Sequence, residues 1–194
     1  MNSLTIILIS TVLTISALYV QQPLLPVLAE QFSVSREMAA LLTTIVFIPL
    51  SLAPLVYGYL LEAVPAKRIL RIAMLLLGLS SLSLAFIDNY SWMLGGRLFQ
   101  GLLIPALLTA LMTYTSQSAA QGDMQRAMAW YIGATIVGGF AGRALSGMIA
   151  SLFHWRGSFL VLGVSILLAW VWLARLPDTG AMRMQRPRLG LIRE

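Results

Sequence analysis

LTIILISTVLTISALYVQQPLLPVLA, residues 4–29, contains no charged side chain, and this stretch decides the class of the protein. A helix that crosses the hydrocarbon core of a bilayer needs about 20 consecutive apolar residues, so the stretch is long enough to span it. It is too long for the apolar region of a signal peptide, and no basic segment precedes it. The sequence therefore predicts a retained transmembrane helix at the start of the chain.

The rest of the 194 residues has the same character, with 59% hydrophobic and 10% charged side chains. A soluble domain usually carries about 25% charged residues, so this chain could not cover a soluble surface. We predict an all-α membrane protein with six transmembrane helices, at residues 4–29 and 38–61, a third ending near 87, then 92–118, 127–152 and 157–174. Residues 1–175 are expected to form the bundle, and 176–194 a basic cytoplasmic tail without fixed structure.

The basic residues predict the orientation of the helices in the membrane. Of the 13 lysines and arginines, nine fall on the side of the two termini: Lys67, Arg68, Arg71, Arg126, Arg175, Arg183, Arg186, Arg188 and Arg193. Because basic loops stay in the cytoplasm, we predict a multi-pass protein of a bacterial inner membrane with both termini cytoplasmic. This placement also accounts for the net charge of +6, and no nucleic-acid partner is expected.

The sequence lacks the residues that a metal site, a cofactor site or a common catalytic site would require. The chain has no cysteine and one histidine, His154, so neither a metal site nor a cofactor is expected. No Ser/His/Asp set and no phosphate-binding glycine loop occurs, so the sequence does not predict an enzyme.

Two arginines, Arg97 and Arg143, fall inside predicted membrane helices, where a charge is costly. No acidic residue lies within these helices to pair with them, so each must meet water, carbonyl groups, a ligand or a missing partner. Two interpretations of each stay open. Arg97, followed by Gln100 on the same face, either reaches the outer interface or lines a cavity. Arg143 is either a structural anchor or a pore-lining residue.

Polar residues near the end of the first predicted helix are a second candidate for the site. Tyr19, Gln21 and Gln22 cluster beside Pro23 and Pro26, which loosen a helix and free its carbonyl groups. The cluster either lines a cavity or lies at the outer interface.

The fifth predicted helix carries small residues at every fourth position, Ala134, Gly138, Gly142 and Ser146. Such a stripe lets two helix backbones approach closely. We expect Gly138, Gly139, Gly142 and Gly147 to serve helix packing, either in static contacts or in a surface that slides between two halves of a larger protein.

Several of these segments together resemble the major facilitator superfamily of transporters. GYLLEAVPAKRIL, residues 58–70, is similar to the family's G-x-L-x-D-R-x-G-R-R-R loop, with Gly58, Glu62, Lys67 and Arg68 at matching positions and Ala63 and Pro65 departing from it. RLFQG, residues 97–101, resembles the family's R-x-x-Q-G. The glycines before Arg143 resemble the fifth helix of proton-driven exporters, and His154-Trp155-Arg156 resembles the start of the sixth. YVQQPLLP, residues 19–26, resembles the end of helix 1 in drug and sugar efflux members.

The resemblance implies an N-terminal half of such a transporter, with helices 1–3 and 4–6 as inverted repeats. Helices 1 and 4 would line the cavity, helices 2 and 5 would face a second half, and residues 58–68 would form a conformational-gating loop. The implied function is proton-coupled efflux of small organic solutes across the lipid bilayer, with a second half or a second copy as partner. The alternative is a truncated, non-transporting remnant or a membrane interaction protein.

Overall fold

The computed structural model describes residues 2–118 and 123–177, without the side chains of 53–56 and 58–63. The described residues form α-helices and no strand. The helices are α1 (Ser3–Tyr19), α2 (Leu25–Gln31), α3 (Arg36–Ala63), α4 (Ala66–Leu84), α5 (Tyr90–Ser118), α6 (Met124–Leu152) and α7 (Trp155–Leu173). The α-helical fold class is as expected, and most of the predicted tail, from residue 178, lies outside the described residues.

The first predicted helix is broken, which is a correction to the expectation of one span over residues 4–29. α1 ends at Tyr19, a 3₁₀ turn follows at Gln22–Leu24, and the chain resumes as α2. Pro23 lies in the turn and Pro26 in the first turn of α2, and a proline has no N–H to donate to the preceding turn. The break leaves the last carbonyl groups of α1 without their helical partners.

The loop expected after the second span is shorter than predicted. α3 extends through residues 58–63, so Gly58 and Glu62 belong to a helix, and their side chains are outside the described set. Lys67 and Arg68 lie in the first turn of α4, which leaves Val64-Pro65 as the connection. Because Pro65 cannot continue α3, the chain turns there and starts a new helix at once.

Three helix pairs make the most extensive contacts: α1 with α6, α3 with α5, and α4 with α7. α4 and α7 run antiparallel, since Gly78 lies against Leu167 while Gly163 lies against Leu82. Both glycines let a leucine of the other helix pack directly onto the backbone. Large apolar side chains fill the centre of the bundle, among them Leu42, Leu70, Leu77, Leu107, Tyr114 and Phe159.

Four described segments are long and apolar enough to cross a membrane: Ser3–Gln31, Tyr90–Ser118, Met124–Leu152 and Trp155–Leu173. The other two predicted spans correspond to α3 and α4. α4 has the length of a span, but three of its first six residues are basic, Lys67, Arg68 and Arg71. The structure is thus that of a multi-pass helical membrane protein.

Candidate functional site: a buried and an exposed arginine at the break in the first helix

Arg97 on α5 is completely buried, and its guanidinium group is bound by oxygen atoms alone. Nε donates to the carbonyl of Leu42 at 3.3 Å, Nη1 to that of Ala17 at 3.0 Å, and Nη2 to that of Leu18 at 3.2 Å. Nη1 also donates to Oε1 of Gln100. The side chain therefore joins three helices, α1, α3 and α5, and no carboxylate of the described residues contacts it.

The acceptors on α1 are available because that helix ends beside them. The last carbonyl groups of a helix have no N–H partner and carry a partial negative charge, which a cation stabilises. Ala17 and Leu18 lie in the last turn of α1, so the guanidinium group of Arg97 occupies the position of a C-terminal cap. The break in the first span and the buried arginine are two parts of one arrangement.

Two glutamines extend this network to neighbouring helices. Gln100 donates from Nε2 to the hydroxyl of Ser81 on α4 at 3.1 Å. Gln21 donates from Nε2 to the carbonyl of Leu18 at 3.1 Å and to the hydroxyl of Thr43 on α3 at 3.4 Å. Both glutamines are buried, and Oε1 of Gln21 has no hydrogen-bond partner among the described residues. The network ties the broken end of α1 to α3, α4 and α5.

Arg143 on α6 lies on the other side of the break and is exposed. Its Nε donates to Oε1 of Gln22 at 2.6 Å, and Nη1 donates to the carbonyl of Gly139 at 2.8 Å. Its Cζ lies 3.8 Å from the centre of the Tyr19 ring, which is a close cation–π contact. Within the described part of the chain Nη2 has no hydrogen-bond partner, so its N–H groups are available to a ligand.

The small residues of α6 bring that helix against α1. A Cβ atom on Gly138 would lie 2.6 Å from the carbonyl oxygen of Val12, and one on Gly142 would lie 2.7 Å from Cα of Ser16. The hydroxyl of Ser16 donates to the carbonyl of Gly138 at 3.0 Å. The stripe therefore packs against a helix of this chain, not on a face left open for another half, which corrects the sliding-surface interpretation.

Two further glycines adjoin the exposed arginine and the break. A Cβ atom on Gly139 would lie 3.4 Å from Nη1 of Arg143, and one on Gly147 would lie 3.4 Å from Cβ of Pro23. At both positions an added methyl group would make only ordinary van der Waals contact, so these two glycines are not sterically required.

The predicted site residues thus separate into two groups on either side of the break. Arg97, Gln100 and Gln21 are buried behind it, which differs from the expectation that they line a cavity. Exposed Arg143 lies together with half-buried Tyr19 and Gln22 at the surface, and we call these three residues the exposed cluster. The sequence did not identify which carbonyl groups accept hydrogen bonds from Arg97, because backbone carbonyl groups leave no pattern in a sequence. Pro23 and Pro26, which free such groups, were the available signal.

The exposed cluster carries one positive charge that no acidic side chain neutralises among the described residues. It offers the N–H groups of Nη2, an amide and an aromatic ring, which can bind a carboxylate, a phosphate or a flat polar solute. Within the described ranges no group of three His, Cys, Asp or Glu residues could hold a metal ion.

Comparison with known proteins places these features in a family. Residues 7–188 match the model of the Major Facilitator Superfamily. A Bacillus subtilis protein named as an uncharacterized MFS-type transporter, YybF, is 28% identical over 92% of this chain and 45% of its own length. The Escherichia coli inner membrane transport protein YnfM is 28% identical over 81% of this chain and 39% of its own length. The chain spans less than half the length of these curated relatives, and, on the family match, it belongs to the major facilitator superfamily.

Proposed function

We propose that the chain forms one six-helix half of a permease that moves small organic solutes across a bacterial inner membrane. The observation that carries the proposal is the exposed cluster, a charged and aromatic group held open at a helix break. Binding sites of secondary transporters commonly lie where a membrane helix is interrupted and its backbone groups are freed. The name of the Escherichia coli relative supports the choice of the inner membrane.

The pairing of helices supports an internal 3+3 repeat. The first repeat would contain the broken first span (α1 and α2), α3 and α4, and the second α5, α6 and α7. If the two repeats are exchanged, α5 takes the place of α1 and α3 takes the place of α6, so the α1–α6 pair becomes the α5–α3 pair. The α4–α7 pair is unchanged, because these two helices replace each other. Those are the three pairs with the most extensive contacts, which is the pattern that two repeats related by a twofold axis would produce.

A second six-helix unit would cover the apolar surface that α3 and α6 present. Large exposed side chains on these two helices include Phe47, Ile48, Leu52, Ile132, Ile136, Val137 and Phe140. The second unit is either a further segment of a longer chain or a second copy of this one. In either arrangement the exposed cluster would lie on the wall between the units, which rock against each other during transport.

The proposal assigns a role to each predicted residue. Arg143 binds the polar group of the solute, Gln22 orients the guanidinium group, and Tyr19 provides a stacking surface. Arg97, Gln100 and Gln21 hold the break in the shape that presents the exposed cluster. The α3–α4 connection, with Gly58 and Glu62 before it and Lys67 and Arg68 after it, acts in conformational gating.

We propose efflux as the direction, which rests on the resemblance of residues 19–26 to efflux transporters. Within residues 2–177 every acidic residue stands near a helix end or in a turn. If transport is coupled to protons, the titrating carboxylate would therefore come from the second unit.

A liposome assay tests the proposal. The purified chain is reconstituted, and uptake of a panel of labelled small carboxylates, phosphates and neutral aromatic solutes is measured with and without a pH gradient. We expect at least one solute to enter faster than into empty liposomes. Replacement of the charge in Arg143→Gln should lower that uptake by about tenfold or more, since it removes a charge-assisted contact.

Arg126→Gln is the matched control, because Arg126 is also exposed on α6 but lies near its start, away from the break. If no solute enters, the second unit is not a second copy of this chain. If in addition no solute raises the melting temperature of the purified chain, solute binding by the exposed cluster is overturned and the non-transporting alternative is favoured. Equal uptake by Arg143→Gln and the control would remove the exposed cluster from the site.

A further inference from the structure

A cavity of about 530 Å³ opens on the bundle where the start of α4 lies beside the end of α7. Three of its lining residues are basic, Lys67, Arg68 and Arg71, and all three come from the first two turns of α4. The apolar lining consists of Pro65 before α4, Ile72 and Leu75 further along α4, and Trp170 from the facing helix. None of the apolar residues belongs to the exposed cluster or to the network of Arg97.

The charge and the depth of this cavity suit one kind of ligand. Arg68 and Arg71 are exposed, and neither forms a salt bridge with any described residue. Arg71 lies five positions after the first residue of α4, which places it roughly 8 Å along the helix at 1.5 Å per residue. If α4 begins at the membrane surface, this length places Arg71 at the headgroup layer, where anionic phosphates meet the ends of membrane helices.

We propose that this cavity binds an anionic phospholipid, with its phosphate between Arg68 and Arg71 and an acyl chain along Ile72, Leu75 and Trp170. A guanidinium group can donate two parallel hydrogen bonds to a phosphate, which an amine cannot. The indole ring of a tryptophan is typical of the boundary between headgroups and acyl chains. Basic pockets between transmembrane helices are known to select anionic headgroups.

Native mass spectrometry of the full chain tests the site. The chain is purified in detergent and exposed to equal amounts of phosphatidylglycerol and phosphatidylcholine, which have comparable acyl chains but different headgroup charge. We expect a retained phosphatidylglycerol adduct on the unchanged chain. Loss of both charges in R68Q/R71Q should lower its preference over phosphatidylcholine by about tenfold or more, given the usual attraction of each basic residue to anionic lipid.

Two further variants and inorganic phosphate test whether the phosphatidylglycerol adduct depends on the charges of this cavity. R68K/R71K keeps both charges and should keep most of the preference for phosphatidylglycerol, which depends on net charge, while its total lipid binding falls because the paired hydrogen bonds to the phosphate are lost. R126Q removes an exposed arginine outside the cavity and should keep all of the preference. A monodisperse double variant that retains phosphatidylglycerol as well as the unchanged chain would overturn the proposal. Binding of millimolar inorganic phosphate by the unchanged chain without any retained phosphatidylglycerol adduct would also overturn it, since the site would then bind free phosphate and not a lipid.

Discussion

Arg97 and Arg143 are both held without a carboxylate, by carbonyl and amide oxygens and, for Arg143, by an aromatic ring. The difference between them is exposure. The N–H groups of Arg97 donate to oxygen atoms of the protein, whereas Nη2 of Arg143 has no hydrogen-bond partner among the described residues. One arginine can therefore stabilise the fold while the other remains available to a ligand.

At this scale we predict that Arg97→Met destabilises the folded chain. Methionine has similar length, but it leaves the carbonyl group of Ala17 and Oε1 of Gln100 buried without a donor. The carbonyl group of Leu18 is left with Gln21 as its donor. Each unsatisfied buried group costs about 1–3 kcal/mol, so a loss of several kcal/mol is expected, offset in part because no charge remains to be buried. Thermal unfolding of the purified chain in detergent measures it.

Arg97→Lys keeps the charge and tests whether the geometry of the guanidinium hydrogen bonds contributes to stability. An ammonium group has three donors and no fixed fork, so it cannot reach the carbonyl groups of α1 and α3 together. We expect a melting temperature between those of the unchanged chain and Arg97→Met. An Arg97→Met variant as stable as Arg126→Met would show that the buried hydrogen bonds contribute nothing to stability.

At the scale of helices, the α1–α6 contact depends on the absence of a side chain at two positions of α6. Gly142→Ala should cost about 1–3 kcal/mol, because the new methyl group would overlap the backbone of Ser16 and force the helices apart. Gly133→Ala is the matched control, since no atom lies within 4 Å of its Cβ position. There the change should be neutral or stabilise the helix by up to about 1 kcal/mol.

The two variants are compared by thermal unfolding under identical detergent conditions. A destabilised Gly133→Ala, or a Gly142→Ala variant that unfolds like the unchanged chain, would contradict the packing account. The comparison separates helix propensity, which both substitutions raise, from the contact that only Gly142 makes.

The sequence predicts the helices well because each is a long apolar segment that ends at polar or basic residues. The observed ends of α3, α5, α6 and α7 fall within about three residues of those expected from the pattern. The break at residues 20–24 was not predicted, although its prolines were noted, because membrane helices often tolerate proline. Whether the helix continues depends on donors from other helices, here Arg97, and that information is not local.

The sequence predicted which residues belong to the candidate site but not how they are arranged in space. Six polar residues were selected, and the structure puts three on each side of the break. Gln21 and Gln22 are adjacent in sequence, yet one is buried and the other contacts exposed Arg143. Consecutive residues of a helix point about 100° apart, so such a separation is ordinary, but which of the two residues faces the interior depends on the packing of other helices, which the sequence does not show.

At the scale of the whole molecule, the predicted orientation can be tested because the natural chain has no cysteine. α6 has 29 residues and is therefore roughly 43 Å long, enough to cross a bilayer from one surface to the other. Asp123 precedes its start and Phe153 follows its end, and both are exposed. A single cysteine at either position reports one side of the membrane.

We predict that Phe153→Cys is labelled by a membrane-impermeant maleimide on intact cells, whereas Asp123→Cys is labelled only after the membrane is opened. The physical reason is that Asp123 and Arg126 lie on the side with most of the basic residues, which resist translocation. The cysteine-free chain is the control for background labelling. The reverse pattern would invert the orientation, and equal labelling of both sites would mean a mixed orientation. Either result would also change the leaflet that the basic cavity of α4 faces, to the opposite leaflet or to both. The lipid experiment therefore has to be interpreted together with the labelling experiment.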